Sequence, residues 1–367
     1  MSRIYRIIIT FLASLILLTG CVSGDVVDTD INTDVIDSIS ETLDTSGDED
    51  SETENNRESK SPWVTKTVNG LSVREIVIDI EGDGDAVDIV QLTDVHFNAV
   101  NEQDIAENNK LVMGSYNDKQ NWLKDGASAK NLQKCLDYAA DYDQIVVTGD
   151  LISYLSYGNL ELVKKYIFDP YPDALACVGN HDALRDWKCQ TDESATLAER
   201  LSLLQSYWTH DIYYASKVLK DRVMVIQLEN GIKDAFWDIQ VEKLTADLAL
   251  AREKGYAVLL FYHIPLSTRN PKYYNTKALT VGDKNNAAAN FFTEGIDGDS
   301  EGASGEVYKL ITNNADIIKG CFCGHKHSDF YTEINAKTPD GTDTTIPQYI
   351  LIGVPYGTGN VLRITVK

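Results

Sequence analysis

Ala257-Val258-Leu259-Leu260-Phe261-Tyr262-His263-Ile264-Pro265 is the stretch that decides how the rest of the chain reads. Six apolar or aromatic residues follow one another without a polar break. A run this short and continuous fits a strand covered on both faces, as in a parallel sheet between layers. Pro265 stops it, because proline cannot donate to a ladder. The residue at its C-terminal end is His263.

The same arrangement recurs along the chain. Val87–Leu92 runs into Thr93-Asp94-Val95-His96. Gln144–Thr148 runs into Gly149-Asp150. Ala174–Val178 runs into Gly179-Asn180-His181-Asp182, and Ile317–Cys323 into Gly324-His325-Lys326-His327. Further candidate strands are Val73–Ile80, Val223–Gln227, Tyr349–Ile352 and Val361–Val366. Between them apolar residues repeat at helical spacing: Leu132, Cys135, Leu136 and Ala139; Leu160, Val163 and Ile167; Val241, Leu244, Leu248 and Ala251. Alternation of this kind indicates an α/β domain, and no linker divides residues 63–367. Two polar stretches, Phe97 to about Ser128 and Leu266 to about Gly305, are long for connections. The first holds Tyr116 and Trp122, the second Tyr273, Tyr274, Phe291 and Phe292. Both follow the histidine motifs, so they are expected loops that shape a pocket.

Five of the six histidines fall in these strand-ending motifs. Each motif alone has a bland reading. An Asp-x-His pair is usually a hydrogen-bonded surface pair, a Gly-Asp a turn, and an Asn-His a loop cap. Gly-His-x-His is stronger. Together, all five end buried strands, where open α/β sheets bind ligands. In an extended segment residues i and i+2 share a side, so Asp94 with His96, and His325 with His327, are expected to reach one ion. Imidazole and carboxylate without thiolate suit Zn, Fe, Mn or Ni. Seven candidate ligands exceed one ion's needs. Two ions about 3.5–4 Å apart, sharing Asp150, would use them all.

The ordered set Asp-x-His, Gly-Asp, Gly-Asn-His-Asp, His and Gly-His-x-His resembles that of the calcineurin-like metallophosphoesterases, over about residues 70–367. The resemblance implies an α/β/β/α sandwich of two mixed β-sheets flanked by helices. It implies that Asp94, His96 and His327 hold a first metal, that Asp150 bridges, and that Asn180, His263 and His325 hold a second. His181 becomes the non-ligand histidine near the leaving group, protonating the leaving oxygen or stabilising its charge. Asp182 either orients His181 or serves a structural turn. The implied reaction is hydrolysis of phosphomono- or phosphodiesters, with a hydroxide bridging two divalent or trivalent transition-metal ions (Mn, Zn or Fe) as the attacking group. The alternative is a catalytically inactive, surface-binding lipoprotein on the same fold, which retention of the full ligand set disfavours.

Two branches of that family fit poorly. Purple acid phosphatases place a Tyr three residues after the Gly-Asp carboxylate, where this chain has Ser153, with Tyr154 one residue late. Protein Ser/Thr phosphatases carry Gly-Asp-x-Val-Asp-Arg-Gly, against Gly149-Asp150-Leu151-Ile152-Ser153-Tyr154 here. Of the residues near the motifs, His210 matches no block and is expected to pack. Arg185 and Lys188 are candidates for substrate phosphate, though solvated roles are the default.

The N-terminus indicates export. Arg3 and Arg6 precede the apolar run Ile7–Leu18, which is short for a bilayer span of about 20 residues and fits a signal peptide, residues 1–20. Leu18-Thr19-Gly20-Cys21 resembles a bacterial lipobox, which implies a lipid on Cys21 and anchoring outside the cytoplasm. Residues 21–62 carry 13 acids against Arg57 and Lys60. They cannot bury enough apolar surface to offset ordering entropy, and are expected to form an extended acidic linker. The whole chain carries a formal charge of −23, which disfavours a nucleic-acid or anionic-membrane face. The remaining cysteines, Cys135, Cys177, Cys189, Cys321 and Cys323, lack CxxC spacing. They are expected to be core residues with room for one unassigned disulfide.

Overall fold

The computed structural model describes residues 62–123, 127–186, 195–268 and 295–367. All belong to one compact unit, Glu58–Lys367. The signal peptide, Cys21, nearly all of the acidic segment, Lys188, Cys189, Tyr273, Tyr274, Phe291 and Phe292 lie outside the described residues.

Two six-stranded sheets form the centre. The first holds β1 (Val64–Val68), β2 (Leu71–Ile78), β3 (Val87–Leu92), β4 (Gln144–Thr148), β5 (Leu175–Cys177) and β12 (Asn360–Val366). Their spatial order is β1-β2-β12-β3-β4-β5. The second holds β6 (Tyr214–Leu219), β7 (Val223–Leu228), β8 (Ala257–Phe261), β9 (Ile318–Cys323), β10 (Phe330–Lys337) and β11 (Asp343–Ile350). Their order is β10-β11-β9-β8-β7-β6. Both sheets are mixed. β3, β4 and β5 are parallel while β12 joins β3 antiparallel. Likewise β7, β8, β9 and β11 are parallel with antiparallel β6 and β10 at the rims.

Strand alternation sorts the apolar residues into three layers. Ile89, Val146, Leu259, Phe261 and Phe322 meet between the sheets. There Phe261, Phe322 and Tyr349 stack at centroid distances of 4.9 and 5.4 Å. The next residues along the same strands face outward. Val90, Leu92 and Val147 pack under helix α3 (Ala127–Ala139), through Leu132, Cys135 and Leu136. Val258, Leu260, Cys321 and Cys323 pack under α6 (Asp238–Lys254) and α7 (Gly302–Thr312). The expected α/β/β/α sandwich is the observed architecture. The four described cysteines, Cys135, Cys177, Cys321 and Cys323, are buried and free.

The stretch Phe97–Ser128 is not a loop. It holds α1 (Glu102–Glu107), α2 (Lys110–Leu123) and the start of α3. Its polar composition hides the apolar stripe that marks a helix, but local chemistry starts one. Asn101 accepts from the Asp104 amide while Asp104 accepts from the Asn101 amide, a reciprocal cap. The second expected loop is described only at its ends, and α7 begins at Gly302. Two further helices, α4 (Tyr157–Val163) and α5 (Leu197–Gln205), cover the first sheet. Among the described residues no helix is long and apolar enough to cross a membrane.

Candidate metal centre

Every residue singled out for metal chemistry lies just beyond a strand end, and both sheets contribute. The first sheet supplies Asp94 and His96 after β3, Asp150 after β4, and Asn180 and His181 after β5. The second supplies His263 after β8, and His325 and His327 after β9. Gln91 ties the sheets together beneath them, donating to the Thr148 hydroxyl at 2.9 Å and the Cys323 carbonyl at 2.8 Å.

Two sets of donor atoms converge. In one, His96 Nε2 lies 3.0 Å from His327 Nε2, 3.8 Å from Asp94 Oδ1 and 3.7 Å from Asp150 Oδ2. His327 Nε2 lies 3.3 Å from Asp94 Oδ1. In the other, His263 Nε2 lies 3.3 Å from the same Asp150 Oδ2, 3.0 Å from Asn180 Oδ1 and 3.2 Å from His325 Nδ1. His325 Nδ1 lies 2.9 Å from Asn180 Oδ1. Metal bonds of about 2.0–2.2 Å put neighbouring ligand atoms roughly 3.0–3.5 Å apart. Most of the separations are of that size, so each set could surround one ion, and Asp150 Oδ2 belongs to both.

Surrounding groups aim these donors. His263 Nδ1–H donates to the Thr148 carbonyl at 2.7 Å, which leaves Nε2 with its lone pair toward the centre. Asn230 Oδ1 accepts from the His263 and Ile264 amides, and its Nδ2 donates to the Ile264 carbonyl at 2.7 Å. His327 Nδ1 pairs with the Tyr356 hydroxyl at 2.7 Å. Asp94 accepts from the Thr93 hydroxyl at 2.6 Å and the His325 amide at 2.9 Å. Tyr356 and Asn230 escaped the sequence reading. Asn230 stands just beyond the end of β7, the signal that identified the others, but in a motif without a histidine.

The backbone departs from the expected extended geometry. Asp94, His96, Asp150, His325 and His327 all have φ between 49 and 72°, five of the ten non-glycine residues in that region among those described. Left-handed backbone costs on the order of 1 kcal/mol per residue. Asp94 and His96 therefore meet through a tight turn, because the strand has already ended, whereas His325 and His327, expected to reach one ion, part into different sets. Glycine makes room for those turns. A Cβ on Gly324 would stand 1.8 Å from Thr93 Oγ1 and 2.5 Å from Asp94 Oδ2; one on Gly149 would reach the His263 ring.

Burial and neighbouring charge set the protonation of the donors. Burial holds His96 and His325 well below the usual imidazole range, so both keep bare lone pairs. Burial also opposes charge on His263, but the Asp150 carboxylate outweighs it and raises the imidazole to about 10. A proton there occupies the side of Nε2 that a cation would take.

His181 stands apart from both sets. Its amide donates to Asp150 Oδ1 at 2.9 Å, and Nδ1–H donates to the Ser153 carbonyl at 3.1 Å. Its ring meets His96 edge to face at 5.1 Å. Burial lowers its pKa. Asp182 takes the turn role rather than orienting His181. It accepts from the Gly179 amide at 2.7 Å and the Ile152 amide at 3.0 Å, clamping the turns that carry Asn180 and Asp150. Tyr154 points away from the centre and donates to Asn98 Oδ1 at 2.8 Å, while Ser153 donates to the His96 carbonyl. His210 packs as expected, with Nε2 3.1 Å from the Ala176 amide on the edge strand β5. Arg185 borders a small cavity with Asp104, Glu107 and Tyr157, away from the donors.

A family model described as calcineurin-like phosphoesterase matches residues 87–329. No curated protein matches the chain. Solved structures that resemble it include a dimetal phosphatase from Danio rerio, 13% identical, covering 73% of this chain and 87% of that one, with a TM-score of 0.40. Purple acid phosphatase PPD1 from yellow lupin (Lupinus luteus) seeds is 12% identical, covering 80% and 46%, at 0.41. PhoD is 8% identical, covering 78% and 60%, at 0.40. The chain thus spans less than two thirds of the latter two, and likenesses this distant carry no functional assignment.

Proposed function

This chain belongs to the calcineurin-like phosphoesterase family, and we propose that it hydrolyses phosphomono- or phosphodiesters at a dinuclear metal centre. One observation carries the reading. Seven donors from both sheets converge in two sets, and Asp150 Oδ2 belongs to each. Asp94, His96 and His327 would hold one cation and Asn180, His263 and His325 the other, with Asp150 common to both sets. When bound, the two cations supply Lewis-acid stabilisation of phosphoryl charge and acidify water. Mn, Zn and Fe all suit this donor set.

The chain's own residues do the rest. Thr148, Asn230 and Tyr356 fix the histidines in ligand orientation. The Asn180 amide, beside His263 and His325, would add a dipole against charge on the non-bridging oxygens. His181 commits Nδ1 to the Ser153 carbonyl, so Nε2 is the nitrogen that holds or passes a proton at the leaving oxygen.

The sequence supports a location outside the cytoplasm. A lipid on Cys21 anchors the protein, and the acidic residues 21–62 hold the domain off the membrane. Mass spectrometry of membrane-extracted protein tests this: an N-terminal diacylglyceryl cysteine is expected, and an unmodified Met1 start contradicts it.

Hydrolysis of a chromogenic phosphomonoester and phosphodiester by Mn- or Zn-loaded protein tests the activity. Turnover of at least one is expected. His181→Ala should slow kcat by about 10²–10⁴-fold with metal content unchanged. Inactivity across pH and a wider ester panel would leave a binding protein on the same fold. Loss of metal in the variant would make His181 a ligand.

A further inference from the structure

Strand β2 carries a charge where its alternation calls for an apolar residue. Arg74 and Ile76, two apart, share a face, and Ile76 packs in the layer between the sheets. Arg74 is 8% exposed, and arginine is seldom buried so far without partners. Its Nε donates to Asp329 Oδ2 at 2.8 Å, and Nη2 lies 2.5 Å from the same oxygen. Its Nη1 donates to Asn360 Oδ1 at 2.8 Å and to the Ser72 hydroxyl at 3.1 Å.

Asp329 and Asn360 both lead to the metal centre. Asp329 stands two residues after His327, and its Oδ1 accepts from the Ile352 amide at 3.0 Å. Asn360 Nδ2 donates to the Gly353 carbonyl at 2.9 Å and the Tyr356 carbonyl at 2.8 Å. One guanidinium thus holds both ends of the turn from Ile352 to Tyr356. That turn is seated on the donors. The Val354 amide donates to the Thr93 carbonyl at 3.0 Å, a Cβ on Gly353 would stand 2.9 Å from Asp94 Cβ, and the Tyr356 hydroxyl pairs with His327 Nδ1 at 2.7 Å. Arg74 belongs to neither metal set. It reaches the His327–Tyr356 pair from both sides, His327 through Asp329 and Tyr356 through Asn360.

We propose that Arg74 is a positioning residue for the Asp94–His96–His327 set, a role that rests on the metal-centre reading above. A ligand oriented by a hydrogen bond is only as fixed as the segment that supplies the bond. Here that segment is a turn between strands of different sheets, β11 and β12. The rigid fork of a guanidinium serves a carboxylate and a carboxamide at once, in a fixed relative geometry. A lysine ammonium at this position keeps the charge but not the fork.

The test uses the full chain as wild type, Arg74→Lys, Arg74→Met, Tyr356→Phe and the combined Arg74→Lys/Tyr356→Phe variant. Thermal melts check folding, and Mn affinity is read by competition with a chelating dye. His327→Gln identifies the binding step that belongs to its side. Each Arg74 variant should bind Mn about tenfold more weakly at the His327 side, with the Asn180–His263–His325 side unchanged. Should Arg74→Met fail to fold, Arg74→Lys, which keeps a charge beside Asp329, carries the test. The combined variant should lose far less than the product of the two single losses, because both act on one histidine. Losses that multiply, equal losses at both sides, or a lower melting temperature with both affinities intact would make Arg74 a structural ion and overturn the proposal. If the wild type binds no Mn, the metal-centre reading fails instead, and NMR of the metal-free proteins decides the Arg74 role. The His327 imidazole resonances should then move in Arg74→Lys as they do in Tyr356→Phe, with those of His263 unmoved, and unchanged His327 resonances reject it.

Discussion

At the residue scale, the centre depends on groups that never touch a metal. Tyr356 is the clearest. Its hydroxyl pairs with His327 Nδ1 at 2.7 Å, and His327 is a candidate ligand with a half-buried side chain, 31% exposed. With less packing to hold that ring, the hydrogen bond carries more of the orientation. Tyr356→Phe should weaken the metal held by His327 by about 10–100-fold while leaving the Asn180–His263–His325 side intact. Competition titration with a chelating dye would read this, and equal affinity in both proteins would refute it. The same scale shows what a single sequence reveals. His263 and the Gly324-His325-Lys326-His327 motif announce themselves because a histidine closing an apolar run has few structural reasons to be there. Asn230 and Tyr356 carry no such contrast. Asn230 follows Glu229 in ordinary turn chemistry, and only the meeting of β7 with β8 reveals its hold on the His263 backbone.

At the element scale, the strands most legible in the sequence, such as β4, β7 and β8, are buried along their whole length. The three that escaped entirely, β1, β6 and β10, are all sheet edges, and of β11 only Tyr349 and Ile350 fell within an expected strand. β1 is exposed along nearly its whole length, and β10 alternates buried and open positions between polar residues. Their strand character comes from a neighbour's ladder rather than from their own apolar content. The fourth edge, β5, shows how an edge is blunted. Trp208 Nε1 donates to the Ala176 carbonyl at 3.1 Å, and His210 Nε2 sits against the Ala176 amide. Burial lowers the His210 pKa. The unfolded chain, with an ordinary pKa of about 6.5, therefore takes up this proton first as pH falls. The His210 contribution to stability is full above about pH 6.5 and declines as pH drops toward the lower folded value. Metal-loaded wild type should lose stability across that window more steeply than His210→Gln. Denaturant midpoints from pH 7.5 to 5 measure the difference, and parallel curves would contradict it.

At the scale of the whole molecule, each set of donors draws on both sheets. Asp94, His96 and Asp150 come from one and His327 from the other; Asp150 and Asn180 meet His263 and His325 in the same way. A cation bound there would therefore cross-link the layers. It also offsets the buried Asp94 and Asp150 carboxylates and the left-handed turns that carry them. Metal at about 1,000 times its Kd adds roughly 4 kcal/mol per site, worth on the order of 10 °C in a domain of this size. Chelation should lower the melting temperature by at least that much and re-addition should restore it. A melt indifferent to chelator would mean the layers do not share the ions.

If two cations share Asp150, the number of bound metal ions must follow that one carboxylate. Elemental analysis of metal-loaded wild type should return about two ions per chain, and Asp150→Asn one or none. A wild-type stoichiometry of one, or an Asp150→Asn variant that still binds two as tightly, would rule out a centre built on a shared Asp150.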